Sequence, residues 1–433
     1  MKKNEEYIVT CIDETRLGSG IVKIDDQVVF VNDMIKDEVG KIKILKVKKN
    51  YAYGKLIERM TTSPYRIEPL CPYKTCGGCQ YQFVDYSYQL QMKTKQMSEL
   101  FHRQVDESIE VLDTLGSQEP YYYRNKAQFP VQVKDNKILM GFYRQHSNDI
   151  VPCKECKIQS HMINEIYQWL QKHLSFAQAK QLRHVFIRNS KTEAQVVFIG
   201  KSEQKFDGLV KDLVEAFPNI TSVVFNYNTR NDNVILGDEY KVLYGRDYIY
   251  ESCMSHSIQL HFKSFFQVNP KQMETLYQCA IDMANLNGNQ KCIDLYSGTG
   301  TIALAISDYV KEVTGVEIVQ EAVDNANVNK EINHITNCQF VCQDASVFAH
   351  EHRNENIDVL FVDPPRKGMT KQGIEDIVTL KPQKIIYVSC SPDSLCRDLN
   401  IFKEQGYRCK KIQPVDMFCQ TTGLENVALL EYE

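Results

Sequence analysis

The chain has 433 residues, of which 43% are hydrophobic and 24% are charged, and its formal net charge is −4. This length indicates two or three domains, the composition is that of an ordinary globular protein, and no apolar run reaches the roughly 20 residues that a membrane helix needs. The small negative charge gives no overall support for nucleic-acid binding, although a local basic face is compatible with it.

The first residues and the cysteine content predict the cellular compartment. The opening "MKKNEEYIVTCIDE" contains no apolar segment, so we expect no export signal. Without such a signal, the 15 cysteines indicate a reducing compartment, where clustered cysteines bind metal or react more often than they form disulfides. We therefore expect a cytoplasmic protein.

The amino-terminal segment has the pattern of a small all-β barrel. Residues 7–58 alternate apolar and polar positions in short runs that are separated by glycines and Asn-Asp. Lysines fall in the last two predicted strands, close to two tyrosines: Lys41, Lys43, Lys46, Lys48, Lys49 and Lys55, with Tyr51 and Tyr53. Ammonium groups meet phosphates and rings stack on bases, so this face is interpreted either as an RNA-binding surface or as a solvated edge protected by lysines.

The passage that follows the barrel is rich in cysteine. "CPYKTCGGCQYQ" contains Cys71, Cys76 and Cys79 with C-x4-C-x2-C spacing, and "VPCKECKIQ" adds Cys153 and Cys156. Thiolates on such a loop can wrap one metal ion or cluster and need a fourth ligand from elsewhere. From the spacing alone, a structural zinc ion and an iron–sulfur cluster are both possible.

The pattern of the remaining chain predicts two further domains. Residues 61–262 mix predicted strands with one or two helices, which indicates an α+β domain. From residue 263 onward strands and helices alternate, which is typical of a doubly wound, largely parallel α/β sheet. The predicted domains are therefore residues 1–60, 61–262 and 263–433.

A glycine turn in the last domain predicts a nucleotide-like ligand. "DLYSGTGTIAL" follows a predicted strand and opens a helix, so Gly298 and Gly300 let the backbone approach a ligand. Glu317 ends the next strand, where a carboxylate can accept both hydroxyls of an adenosine ribose. The motif is G-x-G and not G-x-G-x-x-G, which favours S-adenosylmethionine over a dinucleotide; a purely structural turn is the alternative.

Further candidates end the following strands of the same sheet. Asp344 ends the third strand, where it could lie near an adenine, and Asp363 ends the fourth in "FVDPPRKG". Cys390 ends the fifth in "YVSCSP". Because ligands of open α/β sheets bind at the carboxyl ends of strands, we expect these side chains to face one crevice.

These motifs together resemble the S-adenosylmethionine-dependent RNA 5-methyluridine methyltransferases, specifically the branch that acts on 23S rRNA. The resemblance covers nearly the whole chain and rests on "SFFQVN", "DLYSGTGT", "GVEIVQEAVDNANVN", "FVDPPRKG", "YVSCSP" and "LENVALL", which occur in the family's order. The predicted barrel resembles the family's TRAM domain, and the cysteine loop resembles its iron–sulfur motif. The implied fold is multidomain, with an OB-like TRAM barrel, a central α+β domain and a Rossmann-like class I methyltransferase domain.

The resemblance also implies a reaction and its residues. The methyl group of S-adenosylmethionine would pass to C5 of a uridine in 23S rRNA through a covalent cysteine adduct at C6. The implied cofactor-binding residues are Gln267, Tyr296, Gly298, Glu317 and Asp363, beside Asp344 from its strand position. The implied ligands of a 4Fe-4S cluster, which the resemblance favours over zinc, are Cys71, Cys76, Cys79 and Cys156. Cys390 would be the nucleophile and Glu425 the base. Separately, we expect a monomer that binds RNA and no membrane.

The chain departs from the family pattern at a few positions. The first gap of the cysteine motif is one residue shorter than usual, and Cys153 is a rival fourth ligand. Ser391 replaces an asparagine after the nucleophile. Before the expected base, Cys419 replaces a proline and Gly423 replaces a histidine.

The expected chemistry explains why sulfur and a carboxylate are needed. C5 of uracil is a poor nucleophile until a thiolate adds to C6, after which a base must remove the C5 proton. Cys390 and Glu425 fit these roles, although each also has a structural interpretation, as a packed core thiol and as a solvated turn residue. The alternative functions are the same chemistry on transfer RNA or another RNA or base, and a non-catalytic RNA-binding or assembly protein.

Overall fold

The computed structural model describes residues 1–230 and 232–433. Its first unit is a mixed six-stranded sheet that is rolled into a barrel. Its strands are β1 (Glu6–Thr10), β2 (Asp13–Glu14), β3 (Ser19–Ile24), β4 (Gln27–Asn32), β5 (Val39–Val47) and β6 (Tyr51–Arg59), in the order β1-β5-β6-β4-β3-β2. The alternation of the sequence buries one face of each strand, as at Val22, Val29 and Ile42. Lys46, Lys48 and Lys49 lie exposed at the end of β5 and beyond it.

A helix and a short strand connect the barrel to the carboxy-terminal sheet. Helix α1 (Tyr86–Gln104) begins at Asp85, whose carboxylate accepts hydrogen bonds from two helical N–H groups. Its apolar face contributes Met97, Leu100 and Phe101 to the core of the carboxy-terminal domain. Strand β7 (Glu110–Val111) then pairs in parallel with residues Lys411 and Ile412 of that domain.

The central unit is a seven-stranded mixed sheet with helices on it. Its elements are β8 (Lys126–Lys134), β9 (Lys137–Tyr143), β10 (Ile150–Pro152), α2 (His161–His173), α3 (Phe176–Ala179), β11 (Leu182–Asn189), β12 (Ala194–Gly200), α4 (Asp207–Ala216), β13 (Ile220–Tyr227) and β14 (Tyr240–Gly245). The strand order is β10-β9-β8-β11-β12-β13-β14. A separate hairpin, β15 (Tyr248–Cys253) and β16 (His256–His261), follows and packs on the last domain.

The last unit is an eight-stranded sheet of doubly wound type. Its elements are α5 (Pro270–Ala284), β17 (Lys291–Leu295), α6 (Thr301–Ser307), β18 (Glu312–Glu317), α7 (Gln320–Ile332), β19 (Cys338–Cys342), α8 (Ala345–Glu351), β20 (Val359–Val362), α9 (Lys371–Ile377), a 3₁₀ turn (Val378–Leu380), β21 (Lys384–Ser389), α10 (Pro392–Glu404), β22 (Tyr407–Val415) and β23 (Glu425–Tyr432). The strand order is β19-β18-β17-β20-β21-β23-β22-β7, and the first five strands are parallel. The predicted α/β domain is confirmed.

The expected domain boundaries at residues 60 and 262 stay a prediction. Segments from upstream of residue 263 nevertheless pack into the core and the sheet of the last domain. Strand β7 and helix α1 belong to the core of the last domain although they lie far upstream of residue 263. The hairpin β15–β16 contributes Cys253, Ile258 and Leu260 to the same domain. Among the described residues, no helix combines the length and the apolar character required to cross a membrane.

Candidate active site

The strand order places a crevice between β17 and β20. The chain moves outward from β17 to β18 and β19 and then returns to the other side of β17 with β20. The connections that follow β17 and β20 therefore run in opposite directions along the sheet. Ligands of such sheets bind at the carboxyl ends of the strands that flank the reversal. The glycine turn after Leu295 and the Asp-Pro-Pro loop after Val362 both lie there.

The glycine turn has the backbone geometry of a ligand cradle. Tyr296, Gly298 and Gly300 have φ angles of +64°, +54° and +82°. A Cβ added at Gly300 would lie 2.5 Å from Cζ of Phe340, so only glycine fits there. A Cβ added at Gly298 would meet no atom within 4 Å, which leaves open space above the turn.

Glu317 closes this cradle from the neighbouring strand. Its Oε2 accepts a hydrogen bond of 3.0 Å from the Gly298 N–H, and its Oε1 accepts bonds from the N–H groups of Ile318 and Val319. The carboxylate is thereby fixed at the end of β18 beside the open space. An anionic acceptor next to an unfilled backbone cradle fits the ribose of S-adenosylmethionine, and Glu317 and Gly298 would hold it.

The other expected cofactor residues differ in their surroundings. Tyr296 is half-buried, and its pKa is raised by burial and by the nearby Asp344 carboxylate. Asp344 caps helix α8, because its Oδ1 accepts hydrogen bonds from the N–H groups of Ser346 and Val347. Gln267 is 5% exposed and lies two residues before Asn269, the residue that caps α5.

Asp294 is a site residue that the sequence analysis missed. It is fully buried in β17, and its Oδ2 accepts a hydrogen bond of 3.0 Å from the Ala303 N–H of α6. Its Oδ1 has no hydrogen-bond partner among the described residues. Burial, and secondarily the charges of Asp363 and Glu317, raise its pKa well above the ordinary range. A polar residue in the middle of the apolar run "KCIDLY" was the signal that could have found it.

Strand register brings the expected nucleophile and the expected base face to face. Strands β21 and β23 are antiparallel, and their last pair joins Ser389 to Asn426. Cys390 follows Ser389 and Glu425 precedes Asn426, so the two functional side chains lie at the same level of adjacent strands. Glu425 is only 3% exposed, which excludes the solvated turn residue that was the alternative.

Asp363 is the second carboxyl group close to the Cys390 thiol. Burial raises the pKa of the Cys390 thiol to about 11, with Glu425 and Asp363 adding to this effect and Arg366 opposing it. Burial raises the pKa of Asp363 to about 7. Burial and Asp363 raise the pKa of Glu425 well above its ordinary range. Burial therefore shifts each of the three groups toward its protonated form, relative to the same group in water.

A buried arginine that the sequence analysis also missed supports the segment before α5. Arg188 is 2% exposed, and its guanidinium donates hydrogen bonds to the carbonyl oxygens of His261 (3.1 Å) and Ser264 (2.8 Å). Ser264 begins the "SFFQVN" motif that contains Gln267. Phe265 in the same motif is 69% exposed, and the Lys126 ammonium lies 5.9 Å from its ring centroid.

The loop between β22 and β23 carries the two departures before Glu425. A Cβ at Gly423 would lie 2.9 Å from Cδ2 of Phe418, so the Phe418 ring takes the space that a larger side chain would need. The buried Lys93 of α1 donates hydrogen bonds to Oδ1 of Asp416 (2.6 Å) and to the Gly423 carbonyl (3.1 Å). One cation thus joins both ends of the loop that leads to Glu425.

The cysteine loop lies near this loop, but its thiols are not assembled into a ligand set. Cys79 and Cys156 pack with Cys419 in one small cluster, whereas Cys153 lies in the central core with its thiol 3.6 Å from the Tyr167 hydroxyl. Burial raises the pKa of both Cys79 and Cys156 to about 12, and neighbouring cysteines add to it. Within residues 1–230 and 232–433, no group of three or more His, Cys, Asp or Glu side chains is arranged to hold a metal ion. The expected cluster is therefore not supported by the geometry, although the donor chemistry fits.

Two family descriptions match the chain, and relatives match it along its whole length. Residues 85–433 match the family described as tRNA (Uracil-5-)-methyltransferase, and residues 2–57 match the TRAM domain. An uncharacterized RNA methyltransferase of Oceanobacillus iheyensis is 38% identical in an alignment 447 residues long, which covers 99% of this chain and 97% of the relative. One of Bacillus cereus is 39% identical in an alignment 448 residues long, which covers 100% of this chain and 98% of the relative.

A solved structure has the same architecture. The tRNA (uracil-54, C5)-methyltransferase of Pyrococcus abyssi, in complex with S-adenosyl-L-homocysteine, superposes with a TM-score of 0.75 and covers 98% of this chain and 100% of its own. At 24% identity this likeness establishes the fold. The TRAM barrel and the Rossmann-like methyltransferase fold are confirmed. Taken with the family match over residues 85–433, the chain belongs to the S-adenosylmethionine-dependent RNA uracil-5-methyltransferases that carry a TRAM domain.

Proposed function

We propose that this enzyme methylates C5 of a uridine in 23S rRNA through a covalent adduct between Cys390 and C6 of the uracil. The observation that carries the mechanism is the pairing of β21 with β23, which sets Cys390 opposite Glu425 beside Asp363. A lone buried cysteine would be a packing residue, but Cys390 lies at the carboxyl end of a parallel strand, close to two carboxyl groups, where ligands of such sheets bind.

Each group has one role in the proposed reaction. The Cys390 thiolate adds to C6, which forms a C–S bond and moves the electron pair of the C5–C6 double bond into an enolate. S-adenosylmethionine, when bound, supplies the electrophilic methyl group that C5 receives. The Glu425 carboxylate then removes the proton from C5, and the returning electron pair expels the Cys390 thiolate. The apolar surroundings that raise the pKa of Glu425 make it a stronger base once it is ionised.

The choice of 23S rRNA rests on the sequence motifs and on the cysteine loop. The barrel does not discriminate between RNA substrates, because the tRNA enzyme of Pyrococcus abyssi matches 98% of this chain. Transfer RNA, which the family description names, is therefore the second candidate substrate.

The RNA itself decides between these substrates. In a deletion strain, mass-spectrometric mapping should show the loss of 5-methyluridine from a defined position of 23S rRNA, with tRNA unchanged. Wild-type protein should restore the methyl group, and Cys390→Ala should not, although it should still bind S-adenosylhomocysteine. Loss of 5-methyluridine from tRNA alone would replace the rRNA proposal with the second candidate, and full turnover by Cys390→Ala would remove the covalent mechanism.

The cysteine loop has its own test. We propose that Cys71, Cys76, Cys79 and Cys156 hold a 4Fe-4S cluster of structural type, for which closure of the loop around four thiolates is required. Support comes from the shared packing of Cys79 with Cys156 and from the influence of Cys71 and Cys76 on the Cys79 thiol. Anaerobic purification should give four irons and four sulfides in wild type and fewer in Cys156→Ser, with Cys153→Ser unchanged. Zinc without sulfide would contradict this proposal.

A further inference from the structure

A turn of the TRAM barrel contacts the helix that follows β21 and the loop that precedes β23 in the methyltransferase domain. The turn, residues 15–19, joins β2 to β3 and is here called the barrel turn. It is held by hydrogen bonds from the Thr15 N–H to the Ser19 carbonyl (2.8 Å) and from the Gly18 N–H to the Thr15 carbonyl (3.0 Å). The Thr15 hydroxyl oxygen also accepts hydrogen bonds from the N–H groups of Leu17 and Ser19. Hydrogen bonds of the backbone and of the Thr15 side chain therefore hold the barrel turn.

On one side the barrel turn is tied to the helix that follows the nucleophile. Nη2 of Arg16 lies 2.7 Å from Oδ1 of Asp393. Asp393 is in the first turn of α10, three residues after Cys390. This ion pair is the contact through which residue 16 reaches the neighbourhood of the reacting thiol.

On the other side the barrel turn touches the loop that leads to the base. A Cβ added at Gly18 would lie 3.3 Å from Cγ2 of Thr422, which is three residues before Glu425, and 3.0 Å from Cβ of Gln80. The Tyr81 hydroxyl donates a hydrogen bond to the Thr15 carbonyl. The barrel turn therefore spans from the Cys390 side of the crevice to the Glu425 side.

The tip of the barrel turn is a leucine that the fold leaves uncovered. Leu17 is 81% exposed, the most exposed of the large apolar side chains that the structure describes. Its neighbours Arg16 and Gly18 contact the helix after Cys390 and the loop before Glu425, so Leu17 is exposed between these two contacts. The cations Arg366 and Lys367 lie exposed on the loop after Asp363, where they can meet phosphates.

The chemistry of the substrate identifies what this leucine contacts. A uracil must leave its stack to reach Cys390, and proteins stabilise unstacked nucleotides by placing apolar side chains against the bases that remain. We propose that Leu17 is a further RNA-contacting residue, which packs on the base that adjoins the target uridine and so helps to hold that uridine in the crevice. This inference rests on the proposed reaction at Cys390 and adds a contact from the TRAM domain to it.

Steady-state kinetics test the contact with a matched control. In Leu17→Ala, the KM for unmodified RNA from a deletion strain should rise about tenfold, the effect of losing one base contact, with kcat nearly unchanged. Ile8→Ala removes an apolar side chain that is 64% exposed on β1 of the same barrel and should leave the KM unchanged. Both variants should keep the wild-type thermal transition and affinity for S-adenosylhomocysteine. Equal KM values for Leu17→Ala, Ile8→Ala and wild type would overturn the proposal.

Crosslinking tests the position of the contact independently of which RNA is the substrate. Leu17→p-benzoylphenylalanine, irradiated with total RNA from the deletion strain, should crosslink to the nucleotide that adjoins the methylated uridine. Crosslinks elsewhere, or none, would contradict the role of Leu17. A crosslink next to a methylated uridine of tRNA would support the role of Leu17 and reject 23S rRNA as the substrate. The experiment therefore tests the role of Leu17 separately from the choice of RNA.

Discussion

Cys390, Asp363 and Glu425 share an environment that favours their neutral forms. The pKa of the Cys390 thiol is raised to about 11 by burial and then by Glu425 and Asp363, so very little thiolate is present near neutral pH. Catalysis therefore requires the substrate complex to lower this pKa or to pass the thiol proton to a carboxylate. Without bound substrate, Cys390 should react with alkylating reagents at the rate set by this raised pKa.

Alkylation of Cys390 should follow this pKa. Below the pKa the thiolate fraction, and with it the rate of reaction with iodoacetamide, should rise about tenfold for each pH unit. Glu425→Gln removes the neighbouring charge that raises the pKa, so the midpoint of the profile should move to lower pH. Peptide mass spectrometry measures the rate, with the exposed Cys342 as the internal reference. A midpoint that is unchanged or higher in Glu425→Gln would show that the Glu425 carboxylate does not raise the pKa of Cys390.

Asp363 should lower the stability of the ligand-free enzyme at neutral and alkaline pH relative to acidic pH. Burial raises its pKa to about 7, so the folded state holds a proton that the unfolded state has released above pH about 4. Stability is therefore lost as the pH rises from about 4 to about 7, and about three pKa units set an upper bound of about 4 kcal/mol.

Asp363→Asn should remove this penalty. Its free energy of unfolding at pH 8 should exceed that of wild type by about 2 to 4 kcal/mol, with a smaller gain at pH 5, and its affinity for S-adenosylhomocysteine should fall. Urea denaturation at both pH values measures the gain. Asp324→Asn, on the exposed face of α7, should show none. A gain in the free energy of unfolding that does not depend on pH would contradict the raised pKa of Asp363 as its cause.

Residue types predicted the candidates of this site, but their spatial relation required the register of the strands. Cys390 and Glu425 could be named from their motifs, whereas their positions opposite each other follow from the pairing of β21 with β23, although they lie 35 positions apart in the chain. The roles of individual site residues stay predictions until they are tested. Asp294 and Arg188 escaped prediction because a single polar residue in an apolar run has no partner in the sequence.

At the scale of elements, helix α1 fixes the loop that leads to the base. Lys93 is 3% exposed at its side chain and Asp416 is 0% exposed, and their charged atoms are 2.6 Å apart. The Tyr86 hydroxyl donates to the other oxygen of Asp416 at 2.8 Å, and the Gln89 amide donates to Oε1 of Gln420. The pattern of the sequence indicated a helix here, but its buried lysine could not be matched to an aspartate more than 300 residues away.

Lys93→Met should be strongly destabilising, because it leaves a buried carboxylate without its cation. We expect a loss of about 3 to 5 kcal/mol in the free energy of unfolding, together with a lower kcat since the loop precedes Glu425. Lys95→Met, two residues along the same helix, removes an exposed ion pair with Asp13 and should cost less than about 1 kcal/mol. Lys93→Met/Asp416→Asn should recover part of the loss. Equal costs for Lys93→Met and Lys95→Met would show that the buried pair does not hold the loop.

At the scale of the whole molecule, the last domain is not self-contained. Its core includes Met97, Leu100 and Phe101 from α1, and its sheet ends with β7. The alternation of strands and helices predicted the doubly wound sheet correctly. It could not predict β7, because a strand of two residues has no periodicity, or the docking of α1, because a helical pattern does not specify its partner.

Fragments should reveal this dependence. A chain of residues 263–433 lacks α1, β7 and the β15–β16 hairpin, so it should show no cooperative thermal transition and no binding of S-adenosylhomocysteine. A chain of residues 85–433 keeps all three and should show both. Circular dichroism and calorimetry measure the two properties. Cooperative unfolding of the shorter fragment would contradict the shared core.

Trapping the covalent intermediate tests the central claim most directly, because it reports the nucleophile, the base and the substrate together. Glu425→Gln, incubated with S-adenosylmethionine and total RNA from a deletion strain, should accumulate a protein–RNA adduct that resists denaturation. Sequencing of the bound RNA and mass spectrometry of the peptide should place the link between Cys390 and a methylated uridine of 23S rRNA. The same variant with Cys390→Ala should give no adduct. Normal turnover by Glu425→Gln without an adduct, or a link to another cysteine, would contradict the account.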